Sequence, residues 1–196
     1  MSSDEKQLIH ECLAGRTEAF GQLVLRYQDR LCNALFRIVG SADDARDIAQ
    51  DAFVQAFQKL GTFRGNSAFY SWLFRIALNV AASQKRRTRR KTSSIDAARE
   101  RQGHEPADPH PESEPAHSIE LEERQAVVQT ALAQLPAEFR TPLVLREIDG
   151  LKYEQIAEIL ECPIGTIRSR IHRARAELRQ RLEALLREKP SPVPPK

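Results

Sequence analysis

Apolar residues recur every three to four positions along most of the chain, and no stretch alternates apolar and polar residues for long enough to make a β-strand. The pattern predicts an all-α protein, and its interruptions predict the helix ends. Ser2, Ser3 and Asp4 open a first helix that ends near Gly15. Thr17 is a candidate cap for a second helix, Thr17 to Val39, stopped by Gly40. Ser41 stands just before Asp43 and Asp44, a hydroxyl followed by carboxylates where the helix dipole favours negative charge. The third helix it starts runs to about Leu60 and stops at Gly61. Residues 62–68 read as a loop, and a fourth helix runs from about Phe69 to near Arg90. Periodicity is lost from Thr92 to His117 and resumes from about Ile119 to Glu188, where Pro136, Asp149–Gly150 and Cys162–Pro163 divide it into four more helices. The reading is therefore two small helical domains, 1–91 and 118–189, joined by a flexible linker at 92–117 and followed by a disordered proline-rich tail at 190–196.

The faces of these helices carry different chemistry. On the third, Ile48, Ala52, Phe53, Ala56, Phe57 and Leu60 share an inward stripe, while Asp44, Asp47, Gln50, Asp51, Val54 and Gln58 lie mainly outside it. That acidic face would repel DNA and suits a protein partner or solvent. On the fourth, Phe69, Leu73, Ile76, Ala77 and Val80 form the apolar stripe, with Trp72 expected in the same core. Arg75, Asn79, Arg86 and Arg90 fall on another, polar side, above a loop (TFRGNS, 62–67) that holds Phe63 and Gly65. Such a stripe fits a single-strand site, in which arginines hold the backbone while aromatic and amide groups receive an unstacked base. Periodicity alone leaves a solvated basic helix equally open.

The segment from Tyr153 to Arg175 is more specific. Ile156, Ala157, Ile159 and Leu160 make the inner face of a short helix, Glu161–Cys162–Pro163 breaks it, and a second helix restarts with Ile164, Ile167, Ile171 and Ala174 inward. Thr166, Arg168, Ser169, Arg170, His172 and Arg173 are left outside. This is the pattern of a helix-turn-helix whose second helix enters a major groove, where arginine binds guanine O6 and N7 and other side chains hold phosphates. A solvated basic helix is the plainer alternative. His172 has no second ligand at metal-binding spacing and reads as a polar residue facing the groove.

A net charge of +3 decides little, but its distribution does. From Lys59 to Ile95 there is no acidic residue, while Lys59, Arg64, Arg75, Lys85, Arg86, Arg87, Arg89, Arg90 and Lys91 are basic; a second basic run lies between Arg168 and Arg181. Two separated basic regions suggest two contacts with a polyanion. The intervening linker is acidic and carries four prolines. Cys12, Cys32 and Cys162 are odd in number and widely spaced, so neither disulfide nor zinc is expected, and small-hydrophobe packing is their plain role; oxidation sensing by Cys12 and Cys32 is the alternative. No Gly-rich phosphate loop, metal-ligand cluster or nucleophile–base pair is visible, so no catalytic residue, metal or cofactor is expected. No apolar run is long enough to span a membrane and the first residues do not read as a signal peptide, so the expected setting is cytoplasmic.

Residues 43–54 (DDARDIAQDAFV) and 63–79 (FRGNSAFYSWLFRIALN) resemble sigma domain 2 of the extracytoplasmic-function (ECF) sigma factors of bacterial RNA polymerase. Residues 135–157 (LPAEFRTPLVLREIDGLKYEQIA) and 162–175 (CPIGTIRSRIHRAR) resemble sigma domain 4, and the envelope-stress sigma-E branch is the nearest match. The resemblance implies a non-enzymatic initiation subunit that serves a stress-type regulon. Asp47, Gln50, Asp51 and Val54 would bind the clamp coiled coil of the polymerase largest subunit, and domain 4 its flap. Phe63, Arg64, Asn66, Ser67, Arg75, Asn79, Arg86 and Arg87 would hold the −10 element, capture a flipped base and help melt the duplex. Thr166, Arg168, Ser169, Arg170, His172 and Arg173 would read the −35 element. His172 stands where the sigma-E branch has an aromatic residue, and Asn66 where an acidic one is usual. A cognate anti-sigma factor is implied, as is a single copy in the holoenzyme, without membrane insertion. A stand-alone helix-turn-helix regulator would instead be a dimer on a palindrome and would leave residues 43–90 without a role; a nucleic-acid enzyme would need chemistry not visible here.

Two groove sites one and a half to two turns apart lie roughly 50–70 Å from each other. A relaxed linker of this length spans about 28 Å and a fully extended one about 85 Å. The linker must therefore be held extended on a surface, which the polymerase supplies, and the free protein is expected to bind promoter DNA poorly.

Overall fold

A computed structural model describes residues 3–94 and 115–188. Residues 95–114 of the expected linker, and the expected tail at 190–196, lie outside the described residues. The described residues form eight α-helices and one short 3-10 turn, with no strand among them.

The N-terminal unit comprises α1 (Ser3–Leu13), α2 (Glu18–Val39), α3 (Ala42–Lys59), the 3-10 turn (Leu60–Thr62) and α4 (Phe69–Ser94). Helix α2 ends at Gly40, whose φ of 88° lets its N–H turn back to the Phe36 carbonyl at 2.9 Å. One residue on, the Ser41 hydroxyl accepts from the Asp44 N–H at 3.2 Å and starts α3. The sequence anticipates both signals. Thr17 behaves differently from the expectation: its backbone is already helical (φ −63°, ψ −27°), and its side chain makes no cap bond. Asn and Ser-type caps need an extended backbone to aim the side chain at the first N–H groups, and Thr17 lacks it.

Helix α3 is the centre of this unit, packed against α2 on one side and α4 on the other. Ala45, Ala49, Ala52 and Ala56 recur along its buried face, and their small side chains let both neighbours approach closely. Leu23, Leu31 and Leu35 of α2 and Phe69, Leu73, Phe74 and Ala77 of α4 complete the core. Phe57 departs from its expected inward place. It is 43% exposed and meets Phe20 edge-on with ring centroids 5.1 Å apart, because it lies at the margin of the buried stripe. Trp72 joins the core as expected, half-buried against Phe63 and Phe69.

The C-terminal unit comprises α5 (Pro115–Ala133), α6 (Ala137–Glu147), α7 (Tyr153–Leu160) and α8 (Ile164–Glu188). Helix α4 thus reaches Ser94 and α5 starts at Pro115, each a few residues inside the segment expected to be linker. Proline suits the first position of a helix, where its missing N–H has no partner to lose. Helix α8 packs against α5, α6 and α7 around Leu135, Leu143, Leu145, Ile156, Ile159, Ile167, Ile171 and Ala174. Ile164, expected in the same stripe, is 36% exposed, because it lies in the first turn of α8, ahead of the point where α7 covers it.

The two units also touch. Helix α2 packs on α5 and α6, α4 packs on α7, and the buried apolar residues of both units form one contiguous cluster.

Candidate nucleic-acid interface

Three surfaces carry the residues singled out by the sequence. The first is the loop after α3 with the adjoining face of α4. The loop turns at Gly65 with φ 69°, a left-handed value open to glycine without a Cβ clash. Phe63 stands at its root, half-buried, with ring centroids 5.1 Å from Trp72 and 5.8 Å from Phe69. This aromatic anchor holds the loop against α4 while Arg64 and Asn66 are exposed and Ser67 is half-buried. Along α4, Asn79, Arg86 and Arg87 are exposed. The Ser83 hydroxyl links two of them, donating to the Asn79 carbonyl at 2.8 Å and accepting from Arg86 at 2.9 Å. Arg75 differs: it lies 3.6 Å from the Glu161 carboxylate, which belongs to the turn between α7 and α8.

The second surface is the outer face of α8. Glu161 takes a left-handed backbone (φ 51°, ψ 42°) and closes α7, with the Cys162 N–H donating to the Ala157 carbonyl at 3.1 Å. Ile167 then donates to the Pro163 carbonyl at 3.1 Å as α8 begins. With Ile167, Ile171 and Ala174 buried, α8 turns Arg168, Ser169, His172 and Arg173 outward, all exposed. Thr166 is half-buried, and its carbonyl accepts from the Ser169 hydroxyl at 2.9 Å. Arg170 is drawn away from the rest: it pairs with Glu138 at 3.3 Å and reaches the Cys162 sulfur at 3.5 Å. Arg168 lies over the Tyr153 ring, 5.8 Å from its centroid, a contact that steers the guanidinium without consuming its donors.

The third surface is on α3, where Asp47, Gln50, Asp51 and Val54 are all exposed. Val54 is 51% exposed, and Phe57 one turn further adds a second apolar group. Sequence periodicity had placed Phe57 in the core, so this pair was missed; an exposed valine beside a phenylalanine at the stripe's margin was the available signal. Asp51 accepts from Gln84 of α4 at 3.3 Å, and Asp47 borders a shallow groove shared with Gln84, Arg87 and Thr88. Among the described residues, no cluster of three His, Cys, Asp or Glu side chains could hold a metal, and no helix is long and apolar enough to cross a membrane.

Comparison with known proteins gives the same two parts in the same order. Residues 23–91 match the family described as Sigma-70 region 2, and residues 125–178 match Sigma-70, region 4. The chain is 42% identical over 186 residues to the RNA polymerase sigma-H factor of Pseudomonas aeruginosa, covering 94% of this chain and 96% of that one. It is 39% identical over 188 residues to the ECF RNA polymerase sigma-E factor of Escherichia coli K12, covering 93% and 96%. Among solved structures, the sigma factor RpoE in complex with the anti-sigma factor NepR from Bartonella quintana superposes with a TM-score of 0.68 at 30% identity, covering 84% of this chain and 96% of that one. CnrH in complex with the cytosolic domain of CnrY gives a TM-score of 0.68 at 28% identity, covering 93% and 99%. A loop-and-helix surface in region 2, a helix-turn-helix in region 4 and relatives that match over nearly their whole length leave one assignment: the chain belongs to the sigma-70 family, as an ECF sigma factor.

Proposed function

We propose that this sigma factor directs initiation at stress-type promoters by dividing the work among the three surfaces. Helix α3, through Asp47, Gln50, Asp51 and Val54 with Phe57 beside them, binds the clamp coiled coil of core RNA polymerase, and the C-terminal unit binds the flap. Thr166, Arg168, Ser169, His172 and Arg173 of α8 read the −35 element in the major groove, with Arg170 bracing the turn through Glu138. Phe63, Arg64, Asn66 and Ser67, with Arg75, Asn79, Arg86 and Arg87, hold the −10 strand and stabilise an extruded base. Extrusion costs a few kcal/mol, so the loop must supply stacking and hydrogen bonds of that order to keep the duplex open. The chain performs no chemistry of its own, works as one copy in the cytoplasm and is held in check by an anti-sigma factor, the kind of partner seen with the Bartonella quintana relative.

The observation that carries this reading is the outward display of two arginine-bearing surfaces, one on each unit, together with an acidic and apolar surface on α3. A stand-alone helix-turn-helix regulator would need only the α8 surface. The test is transcription of fragmented genomic DNA of the source organism by purified core polymerase, with and without the protein. New start sites sharing two upstream motifs are expected. No new starts, together with no binding to core polymerase, would overturn the proposal.

A further inference from the structure

Helix α8 holds its arginines in two different ways. Arg170 is bonded to Glu138 at 3.3 Å, and Arg175 to Glu147, through Nε at 3.0 Å and a terminal nitrogen at 2.6 Å. Both carboxylates belong to α6. An arginine paired in this way has part of its donor fork occupied and much of its charge met. Arg168 is held by a ring instead, its guanidinium carbon 5.8 Å from the centroid of Tyr153. A ring attracts the cation without taking a hydrogen bond, so the N–H groups stay available for O6 and N7 of a guanine.

The ring is itself fixed. Tyr153 is the first residue of α7, and that helix starts where the Gln155 side chain accepts from the Lys152 N–H at 2.9 Å. Leu151 before it and Ile156 after it are buried, which pins the start of the helix on both sides. A second guanidinium, that of Arg146 on α6, lies 4.9 Å from the centroid of the same ring. Arg146 is half-buried and donates to the Leu151 carbonyl at 2.8 Å, which ties it to the turn that precedes Tyr153. A line of contact thus runs from the Leu151 carbonyl through Arg146 and Tyr153 to Arg168, across three helices. Arg168 is exposed, and a long exposed side chain samples many rotamers. Ordering it on a base costs entropy, and a fixed ring beside it reduces that cost before DNA arrives.

We propose that Tyr153 is a positioning residue for base reading: its ring, backed by Arg146, holds the Arg168 guanidinium where it reads one base pair of the upstream element, and so sets how sharply that pair is discriminated. The inference rests on the assignment of α8 to the −35 element. The Tyr153 hydroxyl takes no part in it. A cation held by a ring at an exposed site gains a factor of about two to five, so loss of the ring lowers discrimination at that base pair by this much. Removing the guanidinium itself loses the larger factor of a base contact, about five to 150.

The test is initiation by core polymerase carrying the full chain, scanned over single base-pair changes in a promoter defined by its mapped start sites. The proteins are the wild type, Tyr153→Leu, Tyr153→Phe, Arg168→Ala and the double variant Tyr153→Leu with Arg168→Ala. Tyr153→Leu is expected to lose the smaller factor at the one base pair that Arg168→Ala identifies. Tyr153→Phe is expected to discriminate as the wild type does, and the double variant to match Arg168→Ala. Loss of stability lowers the supply of active protein evenly across promoters, so it does not imitate a change at one base pair. Tyr153→Met carries the same expectation as Tyr153→Leu, so the test does not depend on one variant folding. An even weakening across all base pairs would assign Tyr153 to the phosphate backbone or to the fold alone, and would overturn the proposal. A loss shared by Tyr153→Phe would overturn it too, by assigning the effect to the hydroxyl. If Arg168→Ala alters one upstream base pair and the ring-free variants do not, the −35 assignment stands and the proposal falls. If Arg168→Ala alters no upstream base pair, the −35 assignment falls and the proposal with it.

Discussion

Arg168 and Arg170 are two positions apart on α8, yet one is exposed and the other is held by Glu138 and the Cys162 sulfur. Periodicity placed both outside the apolar stripe, which is correct as far as it goes. It has no way to show that a residue 32 positions earlier closes on Arg170. The same limit hid Asp149, whose donors Tyr70 and Arg30 stand 79 and 119 positions away. What the sequence does carry at this scale is the environment of residues within a helix. Cys12 is one example: it is buried, and burial pushes its thiol up, as it does that of half-buried Cys32. The thiolate is the reactive form, so both are poor sensors of oxidants. Alkylation of Cys12 and Cys32 by iodoacetamide at pH 8 should be at least about tenfold slower than that of an unstructured cysteine peptide. Rates equal to the peptide's would restore the oxidation-sensing alternative.

Helix by helix, the ends were legible where one residue type does one job. Gly40 takes a left-handed φ and Ser41 offers a hydroxyl to an N–H three residues on, so both are visible as letters. Thr17 has the same letter chemistry but not the backbone that would use it. Stripes were legible at their centres and not at their margins, as Phe57 and Ile164 show. The buried stripe of α8 is a firm case. Ile167 is fully buried between its neighbours, and it sets the rotation that turns Arg168 and Arg173 outward. Ile167→Ala removes three carbons from that packing and should cost about 2–5 kcal/mol of stability, read as a lower midpoint in urea denaturation. A change under about 0.5 kcal/mol would mean that α8 is not seated as described.

At the scale of the whole chain, the two-part organisation followed from one loss of periodicity and one reversal of charge, and the family matches fall on either side of it. The contact between the parts did not follow, because it depends on pairs that no local pattern encodes. The account stands or falls on two surfaces of one copy reading two separate elements. The most direct measurement is initiation by core polymerase carrying wild type, Asn79→Ala or Arg168→Ala, scanned over single base-pair changes in a promoter defined by the mapped start sites. Loss of one base-reading contact is worth about 1–3 kcal/mol and should flatten discrimination at that base alone. Arg168→Ala is expected to lose preference at one position of the upstream element, and Asn79→Ala at one position of the downstream element, with the other element still read normally. If either variant weakened initiation evenly across all promoter changes, or altered preference in the opposite element, the assignment of the two surfaces would be contradicted.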